Sequence, residues 1–180
     1  MLDGFAIGRK LSNLFYYLYK NYQNVQQKTK QVINYLDIPE IVVSFKDNVK
    51  TSDRIKMSSI AISVKVFRKY FNEFIQYQEE LWAAYLNNRF NLIGVQQVSI
   101  GGLDTHLLDI RIVLHTALKC CSSAVIICHN HPSGDLVASN EDIEMSKKLQ
   151  NGCNAIGITL LDHIILTSDD FISLKKLKLF

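Results

Sequence analysis

Residues His129 to Asp142 read HNHPSGDLVASNED and place two imidazoles, a hydroxyl and a carboxylate within fourteen residues. An apolar run precedes this stretch, and a helical pattern follows it. Two neutral nitrogen donors and one anionic oxygen donor leave a fourth position for water, and this ligand set distinguishes a catalytic zinc site from a structural one. The stretch therefore predicts a zinc hydrolase whose site lies where a strand passes into a helix.

The segment before this stretch predicts how the two histidines are arranged. Ser122 to Cys128 is a short, apolar, β-branched run, which indicates a buried strand. Side chains alternate along an extended chain, so His129 and His131 should project to one side while Asn130 points to the other. Both imidazoles are thus expected at the end of one strand, on the same face.

A helix is predicted directly after the loop. Ser139 has the residue type of an N-cap, and the helix should run to about Gln150. Asp142 lies in its first turn, where it can approach the two histidines. The alternative is that Ser139 and Asp142 only cap the helix and complement its dipole, but the combination with the histidines favours a metal site. The apolar side of the helix would be formed by Ile143, Met145 and Leu149.

The pattern His-x-His, seven residues, Ser-x-x-Asp resembles the metal motif of the JAMM (MPN-type) metalloproteases. Its fuller form, residues 129–135, resembles the RadC branch of that superfamily, and the resemblance covers roughly Pro39 to Leu174. Ala138 departs from the family, which commonly has proline there, and the helix-hairpin-helix module of longer RadC proteins is not expected here. Further matching segments are Gln78 to Trp82, Leu86-Asn87, Gly101-Gly102, Asp109 to Arg111, Ala117-Leu118 and Leu161 to Ile165.

The resemblance implies a role for each polar residue of the motif. His129, His131 and Asp142 would hold Zn²⁺, and Ser139 would donate a hydrogen bond to the developing oxyanion. Zinc lowers the pKa of water from about 16 toward about 7, which produces a nucleophile at neutral pH. The implied activity is that of a zinc-dependent metallohydrolase that cleaves a peptide or isopeptide bond, with a protein or peptide as substrate.

A glutamate distant in sequence would be the general base of such an enzyme. Counting back from Leu86-Asn87 puts Glu79 at the family's position, with Glu80 as the alternative. Residues 79–86 are predicted as a strand, in which positions 79 and 80 face opposite sides, so only one of these glutamates can face the metal. Without the histidine motif, a solvated glutamate pair would be the better interpretation.

The implied fold is α/β: an MPN/JAMM-like (cytidine-deaminase-like) sandwich with a central mixed sheet flanked by helices. We expect residues 39–180 to form this domain, after an N-terminal helical segment over residues 1–38. The apolar pattern also predicts strands over residues 40–45, 92–100 and 158–166 and near Ile172. A helix is predicted from Ser59, and its apolar side would be formed by Ile60, Val64, Phe67, Phe71 and Phe74. A second helix would be capped by Asp109, and its apolar side would be formed by Ile110, Val113, Leu114, Ala117, Leu118 and Cys121.

Other function classes fit less well. A nucleobase deaminase requires a Pro-Cys-x-x-Cys element, and a zincin requires His-Glu-x-x-His; the sequence has neither. An MPN-type scaffold or interaction module without catalysis, possibly linked to DNA repair or mobile-element biology, is the alternative function. The net charge of +3 is too small to support nucleic-acid binding.

Composition predicts one well-buried core, since 48% of the 180 residues are hydrophobic. No apolar run reaches the length of about 18 residues that a membrane span needs. Four cysteines without metal or redox spacing predict free thiols in a cytoplasmic protein, with Cys128 in the core. For His163, a structural hydrogen bond is predicted, and a role beside the metal is the alternative; His106 and His115 are not expected to take part in chemistry.

Overall fold

The structure is a computed structural model that describes residues 17–21, 44–71, 73–101 and 108–180. The chain divides into two compact units, Met1–Val42 and Val43–Phe180. In the first unit residues 17–21 are helical. The boundary predicted between residues 38 and 39 lies outside the described residues and stays a prediction. The predicted strand over residues 40–45 lies largely outside them as well, and residues 44 and 45 are not in a strand.

The described residues of the second unit form a mixed sheet of five strands. The strands are β1 (Glu80–Leu86), β2 (Leu92–Ile100), β3 (Ala124–Asn130), β4 (Thr159–Leu166) and β5 (Phe171–Ser173). Their order in the sheet is β2-β1-β3-β4-β5, with β3 and β4 parallel and the other neighbouring pairs antiparallel. The predicted α/β architecture with a central mixed sheet is confirmed.

Helices cover both faces of this sheet. They are α1 (Ile60–Phe67), α2 (Ile110–Lys119) and α3 (Asn140–Ala155). On one face, α1 packs on a cluster that includes Ala84, Leu86, Ile126, Cys128, Ile164 and Leu166. On the other, α2 and α3 pack on a cluster that includes Ala83, Tyr85, Val125, Ile127 and Leu160. No helix among the described residues has both the length and the apolar character needed to cross a membrane.

Strand β3 is buried along its whole length. A strand that is covered on both faces needs apolar residues on both, which explains the continuous run from Ala124 to Cys128. Cys128 lies in the core, as predicted, and all four cysteines have free thiols. Because His129 and Asn130 continue this buried strand, their polar side chains must find partners inside the protein.

Helix α1 is shorter than predicted, and two residues from the predicted apolar side of α2, Leu118 and Cys121, are exposed. Helix α1 ends at Phe67, whereas the apolar spacing continues to Phe74. After Phe67 the backbone tightens: the amides of Lys69 and Tyr70 bond to carbonyls three residues back. Helix α2 begins at Ile110 with Asp109 as its N-cap, as predicted. Its residue Leu118 is 58% exposed, because the helix buries the stripe around Val113 and Ala117 instead.

Helix α3 buries Leu149, as predicted, but the rest of its buried face differs from the prediction. It extends to Ala155, and its buried residues are Asp142, Ser146, Leu149 and Cys153. Ile143 and Met145 are only half-buried. Two polar residues therefore take core positions, which an apolar periodicity cannot indicate, and both are directed at the histidines of β3 and β4.

Candidate metal centre

Two histidines meet at the carboxyl end of β3. His129 is the last but one residue of that strand, and His131 is the first residue after the strand ends. Their Nε2 atoms are 3.0 Å apart, and the ring centroids are separated by 4.9 Å. The side chain of Asn130 bonds in a different direction, to the segment before β1. Strand alternation thus places both imidazoles on one side, with their distal nitrogens converging.

Asp142 approaches both histidines from the start of α3. Its Oδ1 lies 3.2 Å from Nε2 of His129, and its Oδ2 lies 3.6 Å from Nε2 of His131. The same residue completes a capping box: Oγ of Ser139 accepts from the Asp142 amide, and Oδ2 accepts from the Ser139 amide. Helix capping and proximity to the histidines therefore coincide in one carboxylate, so the two interpretations of Ser139 and Asp142 do not exclude each other.

The hydroxyl of Ser139 is close to this group. Its Oγ lies 2.7 Å from Oδ2 of Asp142, to which it donates its hydrogen. Because the Asp142 amide also donates to Oγ, at 3.0 Å, the oxygen is held in place while the hydrogen can rotate about the Cβ–Oγ bond. Donation to another acceptor at the site requires only that rotation.

The structure brings Glu79, and not Glu80, to the histidines. Leu81 pairs with His129 across the antiparallel β1–β3 ladder, so the residues just before β1 lie beside the end of β3. Oε1 of Glu79 is 3.7 Å from Nε2 of His129. Glu80 accepts bonds of 2.9 Å from Nε1 of Trp82 and from Nε2 of Gln97 instead. Adjacent residues of an extended chain point to opposite sides, which explains the difference.

The donor atoms of this cluster lie close enough together for a metal ion to bind, and a tetrahedral zinc site provides a comparison. Bonds of about 2.0–2.2 Å at tetrahedral angles separate neighbouring donors by about 3.3–3.6 Å. The nearest-atom separations among His129, His131 and Asp142 are 3.0, 3.2 and 3.6 Å. Glu79 also forms a potential metal-binding group with the two histidines, all its ligand atoms lying within 4.8 Å of one another. Asp142 is the nearer carboxylate to Nε2 of His129, at 3.2 Å against 3.7 Å for Glu79.

The electrostatics of this cluster keep Asp142 ionised beside the two histidines. Burial opposes charge on Asp142, but its side-chain interactions with His129, His131 and Ser139 outweigh it and hold the pKa of Asp142 well below its usual range. Burial also opposes charge on His131, yet bonds to Asp142 and to the backbone oxygen of Asp135 raise the pKa of His131. An anionic carboxylate thus faces two imidazoles, and a metal ion that binds them displaces a proton.

The ring orientation of His131 is determined by the loop that follows it. Its Nδ1 lies 2.7 Å from the carbonyl oxygen of Asp135. A carbonyl oxygen only accepts, so Nδ1 carries the hydrogen, and in the neutral ring the lone pair of Nε2 faces the space beside His129 and Asp142, the candidate metal position. Gly134 adopts a φ of +81°, which permits the tight turn that returns Asp135 to the ring.

Asn130 holds the segment that carries Glu79, a role that the sequence did not reveal. Its side chain is fully buried. The carboxamide oxygen accepts from the Glu80 amide at 2.7 Å, and Nδ2 donates to the carbonyls of Ile75 and Gln78 at 2.7 and 2.8 Å. Both backbone neighbours of Glu79 are therefore fixed by a residue that lies between the two histidines. Its place between the two histidines was the only feature of the sequence that pointed to Asn130.

We expect Asn130→Asp to lower the free energy of unfolding by at least about 2 kcal/mol. A carboxylate there has no hydrogen to donate, and it faces two carbonyl oxygens in a buried site. Urea unfolding measures the effect, with Asn88→Asp, at an exposed turn position, as the matched control. The control should change stability by no more than about 0.5 kcal/mol. Equal unfolding midpoints for the two variants would contradict this role of Asn130.

His163 contacts His129 from the neighbouring strand β4. It is fully buried, and its Nε2 lies 2.7 Å from Nδ1 of His129. Its Nδ1 lies 2.6 Å from Oγ of Ser146 in α3. Burial lowers the pKa of His163 well below its usual value. Ser146 was missed by sequence reasoning, although its distance of four residues from Asp142 places it on the same face of the helix.

The remaining histidines are away from this cluster or outside the described residues. His115 is exposed on α2. His106 lies in the segment 102–107, which the structure does not describe. Of the predicted site residues, the structure thus brings together Glu79, His129, His131, Ser139 and Asp142.

The chain matches the family of RadC-like JAB domains over residues 57–179. It is similar to a UPF0758 protein of Streptococcus suis, with 32% identity over 141 residues, 74% of this chain and 57% of that protein. A UPF0758 protein of Clostridium beijerinckii is 34% identical over 151 residues, 84% of this chain and 64% of that protein.

A third relative, from Clostridium novyi, is 43% identical over 108 residues, 60% of this chain and 45% of that protein. The chain therefore spans about half the length of the curated relatives that it matches. The names of these relatives state neither an activity nor a substrate.

Proposed function

The chain belongs to the family of RadC-like JAB domains, and on that premise we propose that it is a zinc-dependent metallohydrolase that cleaves a peptide or isopeptide bond. One observation carries the proposal: His129, His131 and Asp142 converge at separations of 3.0 to 3.6 Å beside the carboxylate of Glu79. A helix-capping role alone does not require a buried aspartate to face two imidazoles.

The three converging residues would hold the metal, and the chain supplies a base next to it. When bound, zinc acts as a Lewis acid and lowers the pKa of water toward about 7. Oε1 of Glu79 lies 3.7 Å from Nε2 of His129, which places its carboxylate beside the position that the attacking water would take. It would accept the proton of that water and deliver it to the leaving amine. An amide needs such a proton shuttle because its nitrogen is a poor leaving group until protonated.

Ser139 would stabilise the negative charge that develops on the carbonyl oxygen. Its oxygen is held by the Asp142 amide, and its hydrogen turns from Oδ2 of Asp142 to the substrate. A donor that is fixed before the reaction begins stabilises the transition state without reorganisation. The capping interaction thus positions the hydroxyl for this second role.

The proposal is tested by hydrolysis under controlled metal loading. Protein loaded with zinc is incubated with pools of internally quenched peptides and with isopeptide-linked substrates. We expect turnover that a chelator removes and that added zinc restores, while added Mg²⁺ does not restore it. Turnover that persists in the chelated protein, or folded protein that takes up no zinc, would overturn the proposal.

A further inference from the structure

We infer that His163 and Ser146 are positioning residues that set the tautomer of His129, so that the lone pair of its Nε2 faces the metal position. They form a chain of hydrogen bonds that runs from Nδ1 of His129 through the ring of His163 to Oγ of Ser146. The chain ends at the backbone carbonyl of Asp142, 2.7 Å from Oγ. The inference rests on the proposed function only for the identity of the metal.

The carbonyl at the end determines the direction of every bond in the chain. A carbonyl oxygen only accepts, so the single hydrogen of the Ser146 hydroxyl is directed at Asp142. Oγ of Ser146 must then accept from Nδ1 of His163. A neutral imidazole carries one hydrogen, so Nε2 of His163 is an acceptor, and Nδ1 of His129 donates to it.

The consequence is a defined tautomer of His129. With its hydrogen on Nδ1, the ring presents a lone pair at Nε2, the atom that lies 3.2 Å from Asp142 and 3.0 Å from His131. His131 has the same tautomer through its direct bond to the carbonyl of Asp135. Both metal-facing imidazoles are thus oriented by a backbone carbonyl, one directly and one through two intervening side chains.

Burial makes this chain difficult to replace. His163 and Ser146 are fully buried, and His129 is 2% exposed. If one of these side chains is removed by mutation, water cannot reach the space that it leaves. The neighbouring polar atoms then lose a hydrogen-bond partner that water does not replace. Because α3 carries both Asp142 and Ser146, one helix positions a ligand and also orients the ring of another.

The first test is the zinc affinity of Ser146→Ala. Alanine removes the acceptor for Nδ1 of His163, so the tautomers of both rings are no longer dictated. We expect the dissociation constant for zinc, measured by competition with a chromophoric chelator, to rise about 10–100-fold. An unchanged dissociation constant would overturn the inference.

Ser63→Ala is the matched control. Ser63 is also buried in a helix, and its hydroxyl donates to the carbonyl four residues back, Ser59, at 3.3 Å. It lies in α1, on the face of the sheet opposite to α3. A loss of one buried helical hydroxyl is thus common to both variants, and only Ser146→Ala should weaken zinc binding.

The second test needs no metal and separates this inference from the proposed function. Long-range proton–nitrogen NMR correlations at mildly alkaline pH report which nitrogen of a neutral imidazole carries the hydrogen. In the metal-free wild-type protein we expect the hydrogen of His129 on Nδ1. A hydrogen on Nε2 would overturn the inference even if the protein binds zinc. A hydrogen on Nδ1 would support it even if the protein shows no zinc-dependent hydrolysis.

His163→Gln and His163→Leu complete the set. Glutamine offers an acceptor oxygen and a donor nitrogen at the two ends of its amide, so it can keep the direction of the chain and should retain most of the zinc affinity. Leucine keeps the bulk but neither group, and we expect its dissociation constant to rise about 10–100-fold. Equal zinc affinity in these two variants would contradict the positioning role, and the Ser146→Ala result decides if His163→Leu fails to fold.

Discussion

Glu79→Gln is expected to abolish hydrolysis while the protein keeps its zinc. Glutamine has nearly the shape of glutamate but cannot accept a proton from water. A missing general base typically costs about 10²–10⁴-fold in rate. Because Asp142 is nearer than Glu79 to Nε2 of His129, at 3.2 Å against 3.7 Å, we expect the proposed ligands to stay in place in this variant. Turnover and zinc content are measured on the same preparation.

Glu80→Gln is the matched control for this experiment. Glu80 is the adjacent residue with the same chemistry, but it is directed at Trp82 and Gln97 on the other side of the strand. The amide oxygen of glutamine can still accept from both, so we expect turnover close to that of the wild type. A Glu79→Gln variant that keeps its turnover, or a Glu80→Gln variant that alone loses it, would refute the assignment of the base. A scaffold without catalysis would instead keep its function in both variants.

His131→Ala is expected to reduce the zinc content from about one ion per chain to almost none. The substitution removes one of the three proposed protein ligands, and we expect the remaining pair of His129 and Asp142 to bind zinc only weakly. Elemental mass spectrometry of the purified protein measures the change. The loss of the bond from Nδ1 to the Asp135 carbonyl should cost only about 0.5–1.5 kcal/mol, so the variant stays folded.

His115→Ala is the control for metal content, since His115 is exposed on α2, away from the cluster. It should bind as much zinc as the wild type. A thermal unfolding curve for each variant shows that the comparison is made on folded protein. Unchanged zinc in His131→Ala would show that the metal, if present, is bound by other residues.

Several elements could be predicted from the sequence because local patterns specify them. Strand β2 has the predicted bounds, Leu92–Ile100, since turn residues mark both of its ends. Strand β3 runs two residues further than the apolar run, through Asn130, because His129 and Asn130 find buried hydrogen-bond partners. Helix α1 is shorter than predicted, since Phe71 remains buried, at 7% exposure, after the helix has ended.

The strand–loop–helix arrangement of His129, His131, Ser139 and Asp142 was determined by the sequence itself. Strand alternation and helix capping are local rules, so a span of fourteen residues contains all that they need. The opposite orientation of Glu79 and Glu80 follows from the same alternation.

Only the tertiary structure decided which distant residues support this arrangement. Asn130 holds the backbone on both sides of Glu79, and the chain through His163 and Ser146 orients His129. These contacts join residues separated by 17 to 52 positions in the sequence. Hydrogen bonds act over about 3 Å and depend on direction, so they form only after the sheet has paired and α3 has packed against it. The spacing of apolar residues along the chain therefore cannot predict these hydrogen bonds.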